Sequence, residues 1–437
     1  MRNRWRRRGL GGVLLWVALA VAVSAAALFA QGGEKVLEEG PEEGETSVEE
    51  SGSPPVEEGD LVGLWVPYFS LSTEEGTQAA FEENYKAIVR RAKEQGVNAM
   101  FVHVRPFSDS LYPSALYPWS HVLTGEQGKD PGFDPLAFLV EYTHSQGMEF
   151  HAWVNPLRVK TAKTPGALSP ESPYEKWKGE HPYYFMEWEG GVYLDPAYPE
   201  VRSLIAQGVG EIVENYQVDG VHFDDYFYPS QDPSLDGEAY ELYCQQAEEP
   251  VDLLTWRQAN VNALVSLVYR TVKDIREQAV FGISPQGNIE NDLAMGADVT
   301  AWAAVPGYVD YLCPQLYYSF ENPALGYSQA LEQWDALPRW EGLRLYAGLA
   351  LYKAGSQEDQ GTWLGENNIL ERQALAAWEA GWDGVVLYAA DSLTADEAQA
   401  ELANAAPLLR ERGGREHKGG SRVRKEFVKK TENPWRR

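Results

Sequence analysis

Residues 218–225 read VDGVHFDD, and the alternation inside this stretch decides the fold. Val221 and Phe223 share one face of a strand, while Gly220, His222 and Asp224 share the other. Strands of a closed barrel turn apolar side chains toward an outer helical shell, so the polar set is predicted to face the axis. The same form occurs twice upstream. In Ala99–Pro106 (AMFVHVRP), Met100, Val102 and Val104 oppose Phe101, His103 and Arg105. In Glu149–Pro156 (EFHAWVNP), Ala152 and Val154 oppose His151, Trp153 and Asn155.

Five more short apolar runs complete the series: Leu61–Pro67, Val280–Pro285, Val309–Tyr317, Leu343–Leu351 and Asp383–Ala390, giving eight. Helical periodicity follows most of them, at Phe81–Glu94, Pro135–Ser145, Val201–Asn215, Leu253–Glu277, Leu370–Ala380 and Ala395–Ala406. Strand and helix alternating in this number predict an α/β fold, a single (β/α)8 TIM barrel over residues 61–408. An open doubly wound sheet is the alternative. It places a Gly-rich phosphate turn after its first strand, and WVPYFSLSTEEG supplies none. Polar residues gather at the carboxyl ends of the runs: Arg105, Asn155, Asp224, Gln286 and Gln315. Barrel sites lie at that end.

The flanks read differently. Residues 1–30 open with Arg2, Arg4, Arg6, Arg7 and Arg8, then run uncharged from Leu10 to Ala30, the pattern of a signal peptide or an uncleaved signal anchor. The expectation is an extracytoplasmic protein, membrane-anchored or secreted to the cell wall. Residues 31–60 are acidic and Gly/Pro-rich and predict a disordered linker. Residues 409–437 are basic and predict a disordered tail. The net charge of −28 argues against nucleic acid as a partner. Of two cysteines, Cys313 sits in an apolar run and reads as a buried thiol. Aromatics make up 12% of the chain, an excess that suits stacking on sugar rings.

Asp224 and Asp225 close the fourth run within GVHFDDYFYP, flanked by Tyr226 and Tyr228. Glycosidic cleavage needs one acid to protonate the leaving oxygen and a second carboxylate to attack the sugar or activate water. Asp224 is expected to be the first catalytic carboxylate, with Asp225 assisting or binding substrate. For a partner acid, Asp109, Glu290, Asp292, Glu321 and Asp391 all follow strand ends, Asp109 being favoured as a sugar-hydroxyl ligand and Glu290 or Asp391 as the acid. Arg105 offers a donor fork for a carboxylate-bearing sugar. Asn155, Arg158, Gln286, Asn288 and Gln315 suit hydroxyl or N-acyl groups, and Trp65, Trp153, Tyr226, Tyr228 and Tyr317 suit stacking. His222 is counted with the substrate binders.

His103, His151 and His222 on neighbouring strands raise the alternative of a metal-dependent deacetylase or amidohydrolase. Each lies below its strand tip, so hydrogen-bonded buried imidazoles are expected, with no metal and no cofactor. A non-catalytic carbohydrate-binding barrel is the other alternative. No Walker-type loop, G-x-S-x-G elbow or Cys/His pair stands at a suitable place.

The phrases VRPFSDSLYPS, HAWVNPLRV, LDPAYPEVRSLI, YQVDGVHFDDYFYP, GISPQGN and VDYLCPQLYY, in order over residues 61–390, resemble the glycosyl hydrolase-like 10 family. The resemblance implies a barrel glycosidase acting on a bacterial polysaccharide, with peptidoglycan glycan strands as substrate. It implies Asp224 and Asp225 as acidic site residues, with Arg105, Asn155, Arg158 and Gln315 lining the cleft. One departure stands out: the loop after the second strand reads Phe107-Ser108-Asp109 where the family pattern carries an Asn/Gly-Asp pair.

Overall fold

The computed structural model describes residues 60–414. The expected export segment at 1–30, the acidic linker apart from Asp60, and the tail beyond Gly414 lie outside the described residues.

Eight strands form the barrel: β1 (Leu61–Val66), β2 (Ala99–Arg105), β3 (Glu149–Val154), β4 (Gly220–Phe223), β5 (Val280–Ile283), β6 (Tyr311–Leu312), β7 (Arg344–Leu349) and β8 (Gly384–Leu387). Each pairs in parallel with its sequence neighbours, and β8 closes on β1. The eight expected runs are the eight barrel strands. Between them lie α1 (Gln78–Glu94), α2 (Pro135–Ser145), α3 (Pro199–Asn215), α4 (Leu253–Ile275), α5 (Val299–Ala304), α6 (Tyr327–Asp335), α7 (Ile369–Glu379) and α8 (Gln399–Gly413). Their starts carry the expected chemistry: the side chains of Thr77, Asp134 and Asp252 accept from Ala80, Ala137 and Thr255 N–H groups. Helices α5 and α6 are additions to the sequence reading, being too short for a clear period. Helix α8 runs past residue 408, because Leu409 is buried and Arg412 pairs with Asp60 at 3.0 Å. Those first residues of the basic tail therefore belong to the barrel. Among the described residues no helix is long and apolar enough to cross a membrane.

Two apolar layers result. The outer one joins Val62, Val102, Val154, Val221 and Phe281 to the helices. The inner one packs Trp65, Phe101, Trp153, Tyr311, Tyr346 and Val386 around the axis. Small residues make room for these rings. A Cβ at Gly282 would collide with the Tyr311 ring, and one at Gly220 with the His151 ring. Burial on this scale, at roughly 25 cal/mol per Å² of apolar surface, is what holds such a barrel closed.

One alternation fails, and the failure has a local cause. The β2–β3 register shifts between His103 and Arg105, and this bulge inverts the parity of the strand tip. Arg105 thereby leaves the barrel axis. Its guanidinium carbon lies 4.6 Å from the Tyr117 ring, packed against Gly208 of α3.

The two long rim connections are structured. Residues 155–197 contain an antiparallel sheet of Arg158–Lys160, Phe185–Trp188 and Gly191–Leu194, which sets Arg158 opposite Tyr193. Residues 225–252 carry the helix Gly237–Gln246.

Candidate active site

Asp224 stands at the end of β4, 3% exposed, and its carboxylate is almost fully engaged. Oδ2 accepts from Trp153 Nε1 at 3.0 Å and Asn155 Nδ2 at 3.1 Å; Oδ1 accepts from the Tyr226 N–H at 3.4 Å. All of this follows from alternation, since Trp153, Asn155 and Asp224 sit on inward positions of adjacent strands. Burial raises the Asp224 pKa, against the pull of the Arg158 charge and the Trp153, Tyr226 and Asn155 hydrogen bonds.

Asp225 starts the loop yet turns to the same floor. Its Oδ1 accepts from Gln315 Nε2 at 3.0 Å, and that amide nitrogen also donates to the Ser284 carbonyl at 3.0 Å. Burial, then the Asp224 charge, push Asp225 up to about 6, while Gln315 and Arg158 pull the other way. Two neighbouring carboxyls thus have unlike environments. One is held by three kinds of donor; the other is half-buried with a single side-chain donor.

Walls rise on both sides. On one, Arg158 donates from Nε to the Pro106 carbonyl at 3.0 Å, and its guanidinium lies 4.8 Å from the Phe107 ring and 5.1 Å from the Tyr226 ring. Tyr226 is 52% exposed, an open face for a ligand. Opposite, Trp65, Tyr317 and Tyr388 pack within 6.4 Å of one another, and Tyr352 stands 5.8 Å from Tyr388. Burial raises the Tyr388 pKa, with the charges of Asp391 and Asp224 and the neighbouring Tyr226 adding to it. Lys353 pins the Tyr352 loop by donating to the Tyr317 carbonyl and pairing with Asp359, each at 2.9 Å.

Several expected ligands are placed elsewhere. Arg105 is buried outside the barrel wall and does not line the cleft. Asp109 is fully buried; its carboxylate accepts from Phe107 N–H at 3.3 Å and Gln127 Nε2 at 3.4 Å, so it braces the β2 loop instead of binding a sugar. His222 is sealed below the floor. Trp65 Nε1–H can only donate, at 3.1 Å, so His222 Nε2 accepts and its proton sits on Nδ1 toward Tyr311 Oη at 2.9 Å. It supports Trp65 and does not touch a ligand. Asn288 spends its side-chain oxygen on capping the following turn, while the Gln286 backbone N–H donates to Asp292 Oδ1 at 2.9 Å and its side chain is half-buried. Asp292 is buried, with burial and then Asp225 raising its pKa well above the usual range. Glu290, Glu321 and Asp391 are exposed, and none hydrogen-bonds to the acid pair.

The three histidines do not form a metal centre. His103 stacks on Trp153 at 3.8 Å, His151 on Phe101 at 4.4 Å, and burial drives His103 and His222 well below the usual histidine range. Among the described residues no group of three or more His, Cys, Asp or Glu side chains is placed to hold a metal ion. Sequence reasoning missed Ser284, Tyr352, Lys353 and Tyr388. Tyr388 and Ser284 had a signal there, each at the carboxyl end of its strand.

This is a (β/α)8 barrel protein with a carboxylate-centred site at its carboxyl rim. Within that class the chain belongs to the glycosyl hydrolase-like 10 family, which residues 64–364 match. It is 37% identical over 273 residues to glycosyl hydrolase YngK of Bacillus subtilis, covering 58% of this chain and 52% of that one. It is 33% identical over 298 residues to glycosyl hydrolase DigH of Escherichia coli K12, covering 62% of this chain and 66% of that one. The chain thus spans about half to two thirds of the length of these relatives. The catalytic domain of a beta-amylase from Paenibacillus polymyxa shares the barrel, with TM-score 0.55 and 12% identity over 82% of this chain and 99% of that one.

Proposed function

We propose that the protein hydrolyses glycosidic bonds of a bacterial polysaccharide outside the cytoplasm, with peptide-free peptidoglycan strands as substrate. The observation that carries this is the acid pair with separated environments. Burial raises both acids, but Asp224 is held as a carboxylate acceptor by Trp153, Asn155 and the Tyr226 N–H, whereas Asp225 has a single side-chain donor, which favours Asp225 as the acid that carries the proton. Asp225, at about 6, is the donor. Its proton passes to the leaving glycosidic oxygen as the C1–O bond breaks. The positive charge that develops on the sugar faces the Asp224 carboxylate, which Trp153 and Asn155 hold in place. Water then adds at C1 and returns a proton to Asp225. This assigns Asp224 the electrostatic part and Asp225 the proton transfer.

The family, the acid-centred rim and the open aromatic faces of Tyr226 and Tyr352 support the reading. Export through residues 1–30, as a cleaved leader or a retained anchor, would bring the barrel to that substrate. Incubating the protein with peptide-free glycan strands and reading products by mass spectrometry tests it. Shortened saccharides, absent with Asp224→Asn, are expected. Strands that bind but stay uncut with the parent protein would make this a carbohydrate-binding barrel, and activity abolished by chelator and restored by zinc would return the metal reading.

A further inference from the structure

Arg158 is a charged side chain whose stem is fixed and whose tip is unused. Its backbone N–H donates to Asn155 Oδ1 at 3.0 Å and its Nε to the Pro106 carbonyl at 3.0 Å. The guanidinium carbon rests against the Phe107 and Tyr226 rings at 4.8 and 5.1 Å. Among the described residues, neither Nη group meets a hydrogen-bond acceptor or a carboxylate. The residue is only half-buried, and its charge acts on both Asp224 and Asp225, which puts the guanidinium beside the acid pair. Holding a long side chain this way removes most of its rotamer freedom, and no hydrogen bond from the Nη groups offsets that loss.

An arginine with Nε satisfied presents two parallel N–H bonds from its end, the match for a planar carboxylate. Two rings beside the fork keep water from competing at its faces. The adjoining acid pair disfavours a doubly charged group, which would be repelled more than a singly charged one. We propose that Arg158 reads a free carboxylate on the sugar seated beside Asp224, making the site selective for acidic polysaccharides. This rests on the glycosidase reading and narrows it. In peptide-free peptidoglycan the lactyl ether ends in such a carboxylate, whereas attaching a peptide converts it to an amide that cannot accept the paired bonds.

The experiment compares peptide-free glycan strands with the same strands after chemical reduction of their carboxyls to alcohols, using the full-length protein. A charge-assisted paired contact predicts that kcat/KM falls roughly 10- to 100-fold on reduced strands. Arg158→Gln should lose a similar factor on native strands and lose nothing further from reduction. Arg158→Lys keeps a positive charge beside Asp224 and loses the fork; it should retain the pH profile while losing discrimination. Equal losses on both strands for Arg158→Gln, with a shifted pH profile, would mean that the arginine serves only the acids and would overturn the inference. Calorimetric binding of both strands to Asp224→Asn protein, with and without Arg158→Gln, decides the matter apart from turnover. Discriminating binding without cleavage by the parent protein sinks the hydrolase reading alone, and equal binding of both strands sinks carboxylate recognition alone.

Discussion

Gln315 Nε2 lies 3.0 Å from Asp225 Oδ1 and 3.0 Å from the Ser284 carbonyl, so one amide nitrogen ties a loop acid to the end of β5. Because the hydrogen bond favours the charged carboxylate, Gln315 holds the Asp225 pKa below where burial alone would put it. Gln315→Leu removes that restraint. The alkaline limb of the kcat profile is expected to move to higher pH, and kcat to drop roughly tenfold as the acid loses its fixed orientation. An unmoved limb would show that Gln315 does not set this acid.

With Asp225 as the proposed proton donor, turnover requires it protonated. With its pKa at about 6, the protonated fraction falls as pH rises through that value, so activity should decline from mildly acidic toward neutral and alkaline pH. Asp225→Asn should cost roughly 10²- to 10⁴-fold on natural glycosides. Much of that loss should vanish on an aryl glycoside, whose leaving group departs without a proton. Equal loss on both substrates would move the proton-donor role to another group.

Trp153 donates to Asp224 while stacking on His103 at 3.8 Å. Trp153→Phe keeps an aromatic ring on the imidazole and deletes the donor. Hydrogen bonds to charged groups contribute about 1.5–3 kcal/mol, so kcat/KM should fall roughly 10- to 100-fold with little change in melting temperature. A large fall in melting temperature would mark the indole as chiefly structural.

Arg105 should behave as a framework residue. Its guanidinium packs on Tyr117 outside the barrel wall, so Arg105→Met is expected to alter the melting temperature and leave KM for glycan unchanged. A raised KM at full stability would return Arg105 to the cleft.

Asp195, behind the rim, is raised from 3.8 to about 7, chiefly by burial, with Asp236 adding to the shift and the Ala197 N–H, Arg257 and Arg202 opposing it. An acid with a raised folded pKa binds its proton more tightly folded than unfolded. Stability therefore falls as pH climbs from about 4 to about 7, by on the order of a few kcal/mol. Asp195→Asn should flatten that dependence and raise the melting temperature at pH 8. A slope unchanged by the substitution would count against this group.

Alternation exposed the barrel because burial demands it. Strands sandwiched between a helical shell and an aromatic axis must sort side chains by parity, and VDGVHFDD, AMFVHVRP and EFHAWVNP keep that record in one dimension. The meeting of Trp153, Asn155 and Asp224 was legible for the same reason. Arg105 escaped the rule because a bulge costs one residue of register and leaves no mark in the pattern. Asp109 and His222 were misread because polarity at a strand end does not tell whether the partner is a ligand or a neighbouring backbone.

The order of residues alone was enough to predict eight strands in a parallel barrel, the rim where a site would lie and the candidate acid pair, since all of these follow from local periodicity and chain order. The unlike surroundings of the two acids, and the positions of the two arginines, on which the proposed roles rest, appear only in three dimensions. Those outcomes depend on the distance from Gln315 to Asp225 and on the bulge that turned Arg105 away while the rim sheet brought Arg158 in. Electrostatic roles arise from through-space neighbours and from the water excluded around them, and neither is written along the chain.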